Sequence, residues 1–459
     1  MKTFKHICAA VLSVASFSAV AQSSVSSYFL DGSLYNYKMN PAMKAERGYF
    51  SLLIGNLAVG TRGNVGLSDF IYPYDDDKLT TFMSGTVDQN EFLGKLPSKV
   101  RMNLGLNETI FAGGFRAFGG FASFDLSIHS STSVMLPKGL FEFAKTGLQN
   151  NSYSFSDLSL NTMNYAAFTL GYSREVIPGL RVGANVKYIA GLAHANVQVN
   201  KLNVELNQDH WMIESHATAQ AALFCDADVT TDDDGILDNI EIGSISAPTA
   251  HGFGIDLGVE YDLEQWVPGL TVSASIVDLG KIYWKNMLSA QSNESKVEFN
   301  GFNEIEYDNF AETFEDEFER LGEDAADMVN LYYTGKKKGG TSLDAKMYIG
   351  AKYEMPFYRP LSVGLLYQHN FSSFVCNRFD HVRGYVNVAP IKWFSATVNY
   401  GYTSYGSSLG WMLNFHPAGF NFYIGSDYMI TKVSPQFIPL NDLHAHLNIG
   451  ISIALGARK

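Results

Sequence analysis

Beyond its first two dozen residues, this chain of 459 residues has no run of 18 consecutive apolar residues, so no membrane-spanning helix is expected. Charge is sparse at 17% of residues, and basic residues are outnumbered, leaving a net charge of −13 that argues against nucleic acid as a partner. Cysteine is scarce too. Of three, Cys8 falls inside the N-terminal apolar run, and Cys225 and Cys376 are left as either one disulfide or two separate thiols. His-Glu-x-x-His, Gly-x-Ser-x-Gly, a Walker loop and Cys-x-x-Cys are all missing, so nothing points to an enzyme or to a resident cofactor.

What is present begins with Lys2 and Lys5, an apolar run from Ile7 to Val20, and Ala19-Val20-Ala21 before Gln22. This reads as a secretory signal peptide over residues 1–21, cleaved near Ala21; loss of the two lysines takes the balance from −13 to −15. The remainder holds 41 glycines, and 14% of the whole chain is aromatic. An exported chain rich in aromatics and lacking membrane helices has one other way to cross a bilayer, by closing a β-barrel.

Strict alternation supports this. Ala445, Leu447, Ile449, Ile451, Ile453 and Leu455 face one way, and His444, His446, Asn448, Gly450 and Ser452 the other. Elsewhere one face carries Asp256 and Glu260, or Lys346 and Glu354, charges that a watery lumen tolerates and a dry core does not. Fourteen strands are predicted, near 49–60, 101–117, 121–131, 163–174, 180–200, 251–263, 269–280, 342–354, 360–372, 381–389, 392–402, 408–416, 419–430 and 443–456. The turns after even-numbered strands are tight and rich in Gly and Pro, whereas the long segments 61–100, 132–162, 201–250 and 281–341 follow odd-numbered ones. Short periplasmic turns and long outer loops are the barrel rule, so the expected fold is an all-β, transmembrane antiparallel barrel in the outer membrane of a Gram-negative bacterium. It would span residues 49–459, behind an N-terminal segment, 22–48, either folded inward as a plug or left as a periplasmic tail.

Asn40-Pro41-Ala42, just ahead of the first strand, resembles the Asn-Pro-Ala signature of the FadL-like superfamily of outer-membrane proteins. The stretches "GFGIDLGVEYDL" and "VDLGKIYW" look like strand motifs of a branch whose members are mostly of unknown function. The resemblance implies a fourteen-stranded barrel with an N-terminal hatch and passive uptake of a small hydrophobic molecule. The same superfamily contains binding or scaffold barrels that serve an envelope or secretion complex, and this is the alternative. A continuous apolar path ending at a kink or side opening would favour uptake; a lumen filled with paired charges would favour the scaffold.

Three outer-loop features complete the expectations. Residues Thr230 to Glu241 match a calcium loop with Gly235 at its sixth position, placing Asp232, Asp234, the Ile236 carbonyl, Asp238 and Glu241 on ligand positions, with Thr230 where an aspartate belongs; otherwise this is a solvated acidic turn. Phe310, Phe314, Phe318 and Leu321 recur at helical spacing, as a lid or ligand-capturing surface or as loop packing. A second short helix is predicted over 136–147. Acidic runs such as "YPYDDDK" would sit near lipopolysaccharide phosphates through divalent ions, or be solvated. His444 and His446 line the lumen in the simplest reading.

Overall fold

The computed structural model describes residues 24–43, 45–74, 78–146, 152–206, 211–223, 225–233, 235–245, 250–292, 295–299, 330–429 and 444–455. The wall begins with β1 (Gly48–Leu52) and β2 (Leu57–Gly63), continues through β3 (Lys99–Ala117), β4 (Gly120–Pro137), β5 (Ser159–Ile177), β6 (Leu180–Leu206), β7 (Ala250–Asp262), β8 (Leu270–Gln291), β9 (Tyr332–Ser342) and β10 (Ala345–Glu354), and ends with β11 (Leu361–Phe371), β12 (Asp380–Ile391), β13 (Phe394–Thr403), β14 (Gly406–Phe415), β15 (Asn421–Ser426) and β16 (Ala445–Leu455). β1 with β2, and β9 with β10, are single wall strands interrupted by a break, so the count is fourteen. Every pairing is antiparallel, and β16 closes the cylinder by pairing with both β1, at Tyr49↔Ala454, and β2, at Val59↔Leu447. Closure pairs the first and last wall strands, and pairing strand to strand around the ring is what allows a backbone full of polar groups to cross a bilayer.

The alternation sets the two faces of the wall. Leu447, Ile451, Ile453 and Leu455 point outward and are about half exposed, while Asn448 and Ser452 between them are buried in the lumen. The same holds on β12, where Val382 and Val386 face out and Arg383, Tyr385 and Asn387 face in. The tight turns carry an exposed girdle of large apolar residues, with Phe118, Ile177, Trp266, Phe357, Trp393 and Phe420 on six of them. Aromatic rings at a common level mark a membrane interface.

Two expectations are corrected. The segment 201–250 is not open loop. β6 runs on to Leu206, pairs there with a strand over Trp211–Leu223, and is followed by a hairpin of Cys225–Thr231 and Leu237–Ile245. The period-two pattern simply continues past the membrane, so strands project beyond it. The segment 61–100 likewise contains a helix, Gln89–Lys95, capped by the Asp88 side chain accepting from the Glu91 amide, and its Phe92 packs with Val65, Leu96 and Val100. The short helix expected over 136–147 spans Lys138–Thr146.

Residues 24–43 lie inside the cylinder. Tyr28, Leu30, Tyr35, Tyr37, Met39 and Ala42 are all buried against lumen-facing side chains. At the lower wall Asn40 makes an Asx turn, its Oδ1 accepting from the Ala42 amide, and donates from Nδ2 to the Val259 carbonyl. Asn40 and Pro41 come so close to Gly258 and Gly183 that a Cβ at either glycine would overlap them, so the wall is notched where this segment leans on it.

Candidate functional site: a chamber beside a split in the wall

Charged side chains of the lumen are tied down in a network. Lys38 donates to Asp125 (3.1 Å) and Thr109 (2.7 Å), and the Tyr37 hydroxyl reaches the other Asp125 oxygen. Lys187 bridges Asp256 (2.8 Å) and Asp278 (2.5 Å), and Lys346 donates to the second oxygen of Asp278 at 3.0 Å. Asn185 and the Asp278 amide complete the Asp256 carboxylate. Asp427 accepts from Ser24 Oγ (2.6 Å), the Val25 amide (3.1 Å) and the Ser26 amide (2.9 Å), pinning the start of the plug to a strand end some four hundred residues away. Arg383, almost wholly buried, donates to Ser408 (2.7 Å), Asn399 and the Asp427 carbonyl. Away from water such groups are held only where their partners are complete. Within the plug, burial pushes the Tyr28 hydroxyl up to about 12 and raises Tyr37 and Tyr35 well above their ordinary range, so these phenols stay neutral donors.

Above the plug lies a chamber of about 140 Å³, reached by Met39, Lys38, His129, Tyr165, Lys187 and Lys346. It extends to a split between β2 and β3. At its outer end the two strands pair at Arg62↔Asn103, and at its inner end the Thr109 amide donates to the Asn56 carbonyl. Both ends fit one register, yet no ladder pair joins Leu57–Thr61 to Leu104–Glu108. The strands therefore go without ladder pairing over five residues, about 17 Å of chain, with no change of register. β2 remains bonded to β16 on its other side, and β3 to β4. Below the split the first wall strand kinks at Leu53, whose φ of 68° is a left-handed conformation unfavourable for a side chain of its kind. The chamber is lined by residues from both lips, Gly60, Thr61 and Arg62 on one side and Leu104, Gly105 and Leu106 on the other.

The expected site residues distribute as follows. Asn40, Pro41 and Ala42 seat the plug on the wall next to Met39, which reaches the chamber. Phe310, Phe314 and Phe318 lie outside the described residues, as does Asp234. Asp232 caps a tight turn, its Oδ1 accepting from the Ile236 amide with Gly235 at φ 81°, while Asp238 and Glu241 lie on the returning strand of the hairpin. Among the described residues no three His, Cys, Asp or Glu side chains stand close enough to share a metal ion. Cys225 and Cys376 are not joined to each other. His446 faces the lumen, accepting at Nδ1 from the Asp427 amide, and His444 stacks on Tyr428 at 4.8 Å. Asp256 and Lys346 do enter the charge network, and Glu260 pairs with Arg181.

Arg62, Lys187, Asp278, Arg383 and Asp427 were not singled out from sequence. Lys187, Arg383 and Asp427 are charges on the lumen face of alternating stretches, a signal that was available, whereas Asp278 follows the lumen-facing Val277 and is turned inward by a bulge at which its φ is 59°. Arg62 fell two residues past the predicted end of the first strand.

No curated protein matches the sequence. Among solved structures, the Ralstonia pickettii toluene transporter TbuX aligns with 10% identity over 91% of this chain and 90% of that one at a TM-score of 0.38. The Pseudomonas putida toluene transporter TodX aligns with 8% identity over 95% of each at 0.40, and a Pseudomonas aeruginosa FadL homologue with 9% identity over 95% and 98% at 0.35. Likeness this loose carries no argument about what this chain does. A family model, by contrast, matches residues 41–427, most of the chain, and on that match the chain belongs to the family of unknown function DUF5723.

Proposed function

We propose that this barrel sits in the outer membrane and lets a small, mainly apolar molecule pass between its chamber and the lipid through the split between β2 and β3. One observation carries the reading, the five-residue loss of ladder pairing between two strands that hold one register, with the chamber reaching both lips. An unpaired ladder facing hydrocarbon leaves backbone donors and acceptors unmet, several kcal/mol in all by order of magnitude, so a closed wall would be the stabler arrangement if the opening had no use. Leu104 and Leu106 at one lip and the outward-facing Val59 at the other give the route its apolar part, with Glu108 at the inner end of the first lip.

Cysteines at Val59 and Leu106, in a chain with Cys225 and Cys376 changed to Ser, test it. A reducible bis-methanethiosulfonate bridge between them should abolish toluene flux into lipid vesicles carrying the barrel, and reduction should restore it. Flux that ignores the bridge would rule the route out. The scaffold reading keeps one observation in its favour, the Lys187, Asp256, Asp278 and Lys346 network that, with the plug, fills much of the lumen with paired charge. It would take the place of uptake if flux and bridge prove unrelated.

A further inference from the structure

We propose that the chamber takes a small organic anion, a carboxylate on a flat ring, with Arg62 as its counter-ion at the lip of the split. This goes beyond the transport reading and does not rest on it, since a charged carboxylate is held in the chamber and not released through the apolar split.

The chamber is lined by Lys38, Lys187 and Lys346, each with a carboxylate partner at 3.1 Å or less. Its carboxylates are equally provided for: Asp344, for instance, accepts from Ser372 and Asn377, and Asp427 from three donors of the plug. Arg62 differs. Among the described residues it has no carboxylate within ion-pair distance. Its Nε donates to the Tyr428 hydroxyl at 2.9 Å, and its guanidinium carbon lies 4.1 Å from the Phe379 ring centre, 5.8 Å from Tyr428 and 5.9 Å from Tyr405. Aromatic faces hold the plane of the guanidinium, one N–H is used, and the two terminal nitrogens remain for a planar acceptor. Two residues further along the neighbouring strand, the buried Nε of Arg101 also lacks a hydrogen-bond partner. A partly buried cation with no acid beside it is costly unless a ligand or water supplies one.

Size and shape narrow the class. A cavity of about 140 Å³ is close to the roughly 150 Å³ that accommodates one benzene ring, which excludes a long acyl chain housed wholly inside. The rings of Tyr165, Phe379 and Tyr428 line the same space and suit a flat partner. A carboxylate meeting the free end of a guanidinium forms two parallel hydrogen bonds, a geometry that a neutral amide of equal size cannot reproduce.

Calorimetry on the full chain in lipid nanodiscs, with benzoate, benzamide, benzylamine and toluene as separate probes, decides the matter. Benzoate should bind saturably at one site and at least about tenfold more tightly than benzamide, with benzylamine weakest. Arg62→Gln should bring benzoate down to the benzamide level and leave benzamide where it was, and Arg62→Lys should recover only part of the gain. An unchanged thermal midpoint shows that the variants fold. Equal binding of benzoate and benzamide, or a preference that survives Arg62→Gln, overturns the proposal. If benzoate gains nothing from Arg62 while the bridge across the split still stops toluene flux, the anion site falls and transport stands; if benzoate needs Arg62 while flux ignores the bridge, transport falls and the anion site stands.

Discussion

The charged groups that hold the plug each find a charged or polar partner, whereas at the outer end of the split a guanidinium is framed by rings and, among the described residues, has no acid beside it. Around the plug Lys38, Lys187 and Asp427 each reach at least two partners, and glycines at 183 and 258 admit the plug backbone against the wall. Next to Arg62, β2 and β3 forgo their ladder from Leu57 to Thr61. The contrast separates two uses of a polar lumen: one fixes a conformation, the other leaves binding capacity unspent. A barrel that needed only to be stable would have completed both.

Four substitutions should sharpen or break this contrast. Lys187→Met leaves two buried carboxylates facing each other and should lower unfolding free energy by about 3–5 kcal/mol, read as a shifted urea midpoint in lipid. Asp427→Asn weakens the acceptor for three plug donors and should cost about 1.5–3 kcal/mol, with amide exchange rising first at Val25 and Ser26. Gly258→Ala pushes a methyl group onto Asn40 and Pro41 and should cost about 1–3 kcal/mol, with the loosened plug detected by thiol labelling of a cysteine at Ser27. Arg62→Leu should change stability least, by under about 1 kcal/mol, because lost ring contacts offset relief of an unpartnered charge. A large loss from Arg62→Leu, or none from Lys187→Met, would erase the distinction between the two regions.

Much of the barrel was legible beforehand because it is written in a local, period-two code. The run from Ala445 to Leu455 states its two faces outright, and Val176 to Leu180 or Ala389 to Trp393 announce their turns through Pro and Gly. All fourteen predicted strands have a counterpart in the wall. The break at Leu53 was not legible, since "SLLIGNLAVG" reads as one uninterrupted strand and the kink arises from contacts with β3 far along the chain. Nor was the extension of β6 and its hairpin beyond the membrane, where alternation persists but the solvent on the two faces no longer differs. The chamber was hardest to see. Arg62 acquires its setting from Phe379, Tyr405 and Tyr428, more than three hundred residues away, and such proximity has no signature in a single sequence.

The bond from Ser24 to Asp427 joins positions 403 apart, and the Asx turn at Asn40 leans on β7 more than two hundred residues on. Such contacts have nothing to grip until nearly the entire cylinder has been threaded into the bilayer, and contacts so remote in sequence form slowly. The stopper must therefore be the last part to set, and for a time each newly inserted molecule stands as an unstoppered tube whose closing latch, the Asp427 carboxylate, arrives close to the end of the polypeptide.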